Sequence, residues 1–440
     1  MFKLDTLISN VTAVTMNEAL DVLFGAYIGI EGGKITYLGK SAPEEKPATI
    51  IDGTGMVALP GLINCHTALA TTALRNYLDD VPQLQALDAL LKLEAKMDSR
   101  CAKAAATLGI AECLRFGVTS VSDLYYYPEA TAEAALSAGI KANIALSAYR
   151  FIDPCEDFDF ETDEQCAALR SAVEKYHLAG DGQIRVDAGI HAEYTGNFKL
   201  WEALAGYACE KELGMQLHLA QTQGEVDSCL DRTGLSPAEL LSIHRLFHVP
   251  ACAAGCNCLE EQDRKLLAKR KVSAVALPMA DAKAGRPPMD IPAAVKAGLN
   301  VALGSGGAVD CGNLDMFEAM RFAALDARRS GGDADAMPAV APLMMATVSG
   351  ATAQGRSTEC GMLKVGLDAD LCLVDFSAPH LMPCHNVISG LVFSAKGGDV
   401  AMTMVRGRIL YQNGNFPTLD LKAAVEELTS YAIPRIFAKE

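Results

Sequence analysis

Between residues 60 and 304 the chain alternates short apolar runs with longer stretches of helical periodicity, and this alternation restricts the fold more than any other feature. The apolar runs lie at 60–66, 118–124, 141–147, 184–191, 214–219, 247–253, 272–277 and 299–304. Each is short and apolar, as a strand of a barrel core is. Helical spacing covers 86–115, 163–177, 197–212, 258–270, 290–297 and 314–329. Strands separated by helices imply βα units and a parallel sheet, because parallel pairs need a long crossover. Eight such units predict an α/β fold of the TIM-type (β/α)8 barrel. A doubly wound open sheet is the alternative, but no G-x-G-x-x-G follows the first strand.

The two ends of the chain share a different style. Residues 1–58 alternate apolar and polar positions, and Glu31-Gly32-Gly33-Lys34 reads as a hairpin turn. The stretch from about 361 to 415 repeats this, with a strand at Asp370–Asp375 and another leading through Val400–Arg408 into a hairpin. One composite β-sandwich lobe, 1–58 plus 359–415, is therefore expected beside a barrel over 59–358. A helical segment, 416–440, closes the chain.

Composition excludes several roles. The formal net charge is −16 and the pI about 5.0, which disfavours nucleic acid and anionic membrane as partners. No apolar run approaches the ~18 residues that a membrane span needs. The 14 cysteines are scattered without a C-x-x-C pair, and no export signal opens the chain. Reduced thiols in a cytoplasmic protein are the expectation.

At the end of the first barrel strand the chain reads Leu59-Pro60-Gly61-Leu62-Ile63-Asn64-Cys65-His66-Thr67-Ala68. Strand-His-x-His is a metal-binding device, since side chains two apart on a strand point the same way. Here His66 is present and Ala68 stands in the partner position. By the same alternation Cys65 is expected to face away from the mouth.

These residues belong to a wider pattern. It includes Phe116-Gly117-Val118-Thr119-Ser120-Val121-Ser122-Asp123, His191-Ala192-Glu193-Tyr194-Thr195, His218-Leu219-Ala220-Gln221-Thr222 and Leu303-Gly304-Ser305-Gly306-Gly307. Gly366-Leu367-Asp368-Ala369-Asp370-Leu371 completes it. Nearly end to end, the chain resembles the amidohydrolase superfamily, in the branch of methylthioadenosine/S-adenosylhomocysteine deaminases, chlorohydrolases and cytosine-deaminase-like enzymes. The resemblance implies a mouth at the C-terminal end of the barrel, where one divalent metal lowers the pKa of bound water. A glutamate and a further histidine would then move protons.

Carried over position by position, the implied ligand set is sparse. His66 and His218 remain as candidate ligands, but Ala68, Gly255 and Gly306 stand where a histidine, a histidine and an aspartate are implied. Gln221 replaces the proton-shuttling glutamate. Two imidazoles fall short of the three protein ligands that catalytic zinc takes. The expectation is therefore a non-hydrolytic homologue (a pseudoenzyme) with no cofactor, serving as a scaffold or binding a ligand in a small-molecule pocket formed by His191, Tyr194, Gln221 and Arg150. The alternative is a C–N hydrolase or deaminase acting on a nucleoside-like or heterocyclic amine through a rebuilt metal site. Such a site would hold zinc or another divalent metal at low occupancy, with cysteines or Asp310 as new ligands. The family resemblance also implies a homo-oligomer.

Overall fold

A computed structural model describes residues 4–77, 79–81, 83–150 and 158–438, the side chains of Gln83, Leu84 and Leu87 aside. Strands β1 (Thr6–Val14), β2 (Val22–Glu31), β3 (Lys34–Gly39), β4 (Thr49–Asp52) and β5 (Met56–Pro60) come first. The barrel strands follow: β6 (Leu62–Thr67), β7 (Val118–Tyr125), β8 (Lys141–Leu146), β9 (Ile184–Gly189), β10 (Met215–Leu219), β11 (Ala251–Gly255), β12 (Ser273–Ala276) and β13 (Asn300–Leu303). Strands β14 (Leu371–Asp375), β15 (Val400–Val405) and β16 (Arg408–Gln412) return to the first group.

Strands β6 to β13 pair in chain order as one parallel sheet, and the predicted barrel is present. Its last and first strands are tied at their upper ends. Gly306 N–H donates to His66 C=O at 3.0 Å. Asn64 and Ser305 exchange two bonds, Asn64 Nδ2 to Ser305 Oγ at 2.7 Å and Ser305 N to Asn64 Oδ1 at 3.0 Å. The terminal strands form a mixed sheet in the order β16-β15-β14-β5-β1-β2-β3, with β4 on β1. Its apolar core draws Ile8, Ile28 and Ile30 from one end of the chain and Leu371, Met402 and Met404 from the other.

Two boundaries differ from expectation for local reasons. The helix expected over 86–115 is two helices, Gln83–Glu94 and Ser99–Arg115. Asp98 starts the second by accepting from Cys101 N–H at 2.9 Å, which satisfies a donor the helix leaves open. The sixth barrel strand begins at Ala251 rather than 247, because Leu246–His248 forms a 3-10 turn and Pro250 has no N–H to give a ladder.

Barrel and lobe meet around Lys141, at the N-terminal end of β8 and wholly buried. Its Nζ lies 2.7 Å from Asp368 Oδ2 and 2.6 Å from Asp370 Oδ2, the latter a charge contact rather than an aligned hydrogen bond. Burial pulls Asp368 upward, but the Lys141, Lys34 and Arg406 contacts prevail and hold it near 2. This end of a (β/α)8 barrel carries stability rather than chemistry. Lys141→Met is therefore expected to destabilise by about 3–5 kcal/mol, because it leaves the buried Asp370 carboxylate without its cation. Chemical denaturation would measure it, and adding Asp370→Asn should recover much of the difference.

Candidate active site at the barrel mouth

The C-terminal ends of the barrel strands open onto a cavity of about 430 Å3, well within the range of small-molecule sites. Residues from or just after seven of the eight strands line it: His66 and Ala68, Leu124–Tyr126, Tyr149, His191, His218 and Gln221, Leu277, and Gly306. The helix Gln83–Glu94 closes one side with Leu90 and Glu94.

Three histidines converge there. His218 Nε2 and His66 Nε2 are 3.0 Å apart. The His218 Nδ1 lies 2.7 Å from the carbonyl of His191, which can only accept, so Nδ1 carries the proton and Nε2 a lone pair. His66 must then donate from Nε2. The rings of His191 and His218 are 5.1 Å apart, and His191 Nδ1 meets Thr195 Oγ1 at 3.2 Å. Burial, reinforced by their proximity to one another, holds His66 well below the usual histidine range and His191 near 3. Burial also lowers His218, to about 4, with the charge of Arg286 adding to it. All three are neutral at pH 7.

Strand alternation fails at β6, whose register on β7 shifts between Asn64 and Thr67. His66 reaches the mouth, yet Cys65 also turns inward and packs below it with Val275, Leu277 and Ala302. Its thiol lies 3.6 Å from Gly350 C=O and does not line the cavity. The loop after β6 is fixed by the buried carboxyl of Asp123, which accepts from Leu69 N–H at 2.6 Å and from Thr67 and Thr131 hydroxyls, both at 3.1 Å.

The other expected positions divide clearly. Ala68, Gln221, Gly306, His191 and Tyr194 all line the cavity. Gly255 does not, because the Gln221 side chain lies over it: a Cβ at 255 would stand 2.5 Å from Gln221 Cγ. Arg150 is a correction. It is not among the cavity-lining residues; its guanidinium pairs with Asp163 and packs over Phe158 at 5.1 Å. Of the cysteines near strand ends, Cys256 bonds the Ala253 carbonyl and Cys311 those of Gly307 and Asn313, and neither thiol lines the cavity, whereas Asp310 does.

The lining residues Tyr125, Tyr126, Tyr149, Glu94 and Arg286 were not singled out from the sequence. Tyr125 and Tyr126 follow β7 and, with Tyr149, build an aromatic wall; the Tyr126 and Tyr149 rings meet edge-on at 5.5 Å. Glu94 accepts from the Tyr125 hydroxyl at 2.7 Å, and burial raises its carboxyl to about 7. Arg286 follows the short helix Pro278–Lys283. The run of three tyrosines at a strand end was a usable signal. Glu94 and Arg286 sit in ordinary charged helical and loop surroundings and gave none.

A metal here would have to be held by His66 and His218. Their ring nitrogens converge, but no third donor joins them: among the described residues no group of three or more His, Cys, Asp or Glu is placed to hold an ion. The residues present do not fit a resident catalytic zinc, which takes three protein ligands and water.

The fold just described is shared with proteins of known structure. Residues 57–410 match the model of the amidohydrolase family, and the chain belongs to that family. It is 34% identical over 423 residues to 5-methylthioadenosine/S-adenosylhomocysteine deaminase of Thermoanaerobacter pseudethanolicus, covering 95% of this chain and 96% of that one. It is 33% identical to 5'-deoxyadenosine deaminase of Methanosarcina acetivorans, covering 97% and 98%. A crystal structure of an adenosine deaminase from Xanthomonas campestris with bound zinc superposes with a TM-score of 0.91 at 27% identity, covering 99% of both chains.

Two measurements test the site. The folded value of Glu94 lies above its ordinary 4.5, so the folded state binds this proton more tightly than the unfolded state. Its contribution is intact below about pH 4.5 and is lost as pH rises towards 7, on the order of 3 kcal/mol in all. Glu94→Gln should flatten that part of the stability–pH curve. Ala68→His adds a third imidazole beside the pair and should tighten zinc binding by roughly tenfold or more, read by competition with a chromophoric chelator.

Proposed function

We propose that the barrel mouth takes a nucleoside-like heterocyclic amine of the adenosine type, and that C–N hydrolysis is its reaction class. The observation that carries this is the cavity itself: three neutral imidazoles at its base, a tyrosine wall, and a buried carboxyl at its side. Aromatic rings offer a flat base a stacking surface. Glu94, titrating near 7, can exchange hydrogen bonds with hydroxyl groups of a sugar. The relatives named as deaminases of methylthioadenosine, S-adenosylhomocysteine and 5'-deoxyadenosine cover nearly the whole chain, and they support the hydrolytic alternative over the non-hydrolytic expectation. The similar structure with bound zinc likewise supports a divalent metal over the expectation of no cofactor.

A second reading is favoured by one specific observation. Positions 68, 255 and 306 carry no donor atom, and Gln221 cannot shuttle a proton. On that reading the same ligand binds and is not turned over. The separating experiment supplies zinc, iron or manganese during expression and assays ammonia release from methylthioadenosine, S-adenosylhomocysteine and 5'-deoxyadenosine, with calorimetry alongside. Turnover that disappears in His66→Ala and His218→Ala supports hydrolysis. Saturable binding without ammonia supports the second reading, and absence of both overturns the nucleoside assignment.

A further inference from the structure

The chemistry of the cavity is not evenly distributed. Glu94 and Asp310 lie on its lining, and burial raises both carboxyls. Lys283 also lines it, but its Nζ is taken by Asp79 Oδ1 at 2.6 Å and Val309 C=O at 2.9 Å. Arg286 is different. Its Nε donates to Asp281 Oδ1 at 2.8 Å, and its backbone N–H donates to Asp281 C=O at 2.9 Å. Asp281 is almost completely buried and the Arg286 side chain is 14% exposed, so the guanidinium is braced from behind by a carboxylate it cannot easily leave. Among the described residues, its two terminal nitrogens have no hydrogen-bond partner, and no ion pair joins it to Asp310.

Arg286 lines the same cavity as His218, Tyr194 and Asp310. A half-buried guanidinium with two free terminal nitrogens is matched by a planar pair of anionic oxygens. A neutral ligand would leave those donors desolvated and unpaired, which costs more than an unmade bond at the surface.

We propose that Arg286 is an anion-recognition element of this cavity, selecting ligands that carry a carboxylate or an ionised oxo-heterocycle over neutral nucleosides. Asp281 acts through it as the positioning residue, holding Nε and leaving the two terminal nitrogens for a ligand. The inference rests on the reading above that a small ligand enters the mouth, and it narrows the class of that ligand. It requires no turnover and no metal.

The test is calorimetry at pH 7 with three probes: adenosine, adenosine-5'-carboxylate and xanthosine, whose base ionises readily. At least one anionic probe should bind wild type roughly tenfold or more tightly than adenosine. The carboxylate arm winning places the anion on the ligand's tail, and the xanthosine arm winning places it on the ring. In Arg286→Gln the ratio should fall towards one, and Arg286→Lys should keep part of it. Removing the cation alone orphans the buried Asp281 and endangers folding, so Asp281→Asn/Arg286→Gln is measured as well. Adenosine bound without any preference for either anion overturns the inference and leaves the cavity reading standing. Should none of the nucleosides bind, that reading falls instead, and the inference is decided by thermal shift with benzoate. Stabilisation of wild type but not of the double variant then supports it, and equal response of the two overturns it.

Discussion

The seam between the last and first barrel strands governs everything at the mouth. A parallel barrel closes only if β13 and β6 find each other, and here three hydrogen bonds at their upper ends do this work: the reciprocal Asn64–Ser305 pair and Gly306 N–H on His66 C=O. The last of these attaches directly to the residue that supplies one imidazole. His66 is thereby set at a fixed height, His218 meets it from across the barrel, and the His191 carbonyl fixes which nitrogen of His218 faces inward. Closure of the fold and placement of the site are one event.

Much of the architecture was legible in the chain because it follows from periodicity. Eight buried strands and their intervening helices announce themselves through apolar runs, and six of the eight strand starts agree with the structure to within about one residue. Where the reading slipped, a local chemical signal had been overlooked: Asp98-Ser99 as a helix start, Pro250 as a bar to strand pairing. The site was half legible. His66, His191, Tyr194, His218 and Gln221, which stand in motifs at strand ends, all line the cavity. Arg150 was misplaced because a lone arginine does not reveal its partner, and Asp163 lies 13 residues away. Arg286 and Glu94 were invisible because their importance comes from burial beside a cavity, which no local spacing encodes.

The mouth also shows how charge is managed without a cluster of metal ligands. Three imidazoles held neutral by burial, two carboxyls raised towards protonation and one braced guanidinium leave little free charge inside. This is the balance expected where the interior solvates poorly, since an ionised group there needs a partner or gives up its charge. The cavity is consequently a place where small differences in ligand charge are amplified.

The contact of Gln221 with Gly255 has a consequence for the routes by which such a site changes over generations. Gly255 holds φ at +95°, a backbone that side chains resist, and Gln221 already fills the space a Cβ would need. A single codon change introducing an imidazole at 255 meets both obstacles at once, whereas Ala68 has a negative φ of −131° and opens on the cavity. Position 68 is an accessible step and position 255 is not. The order in which donors could enter this mouth is written into its backbone.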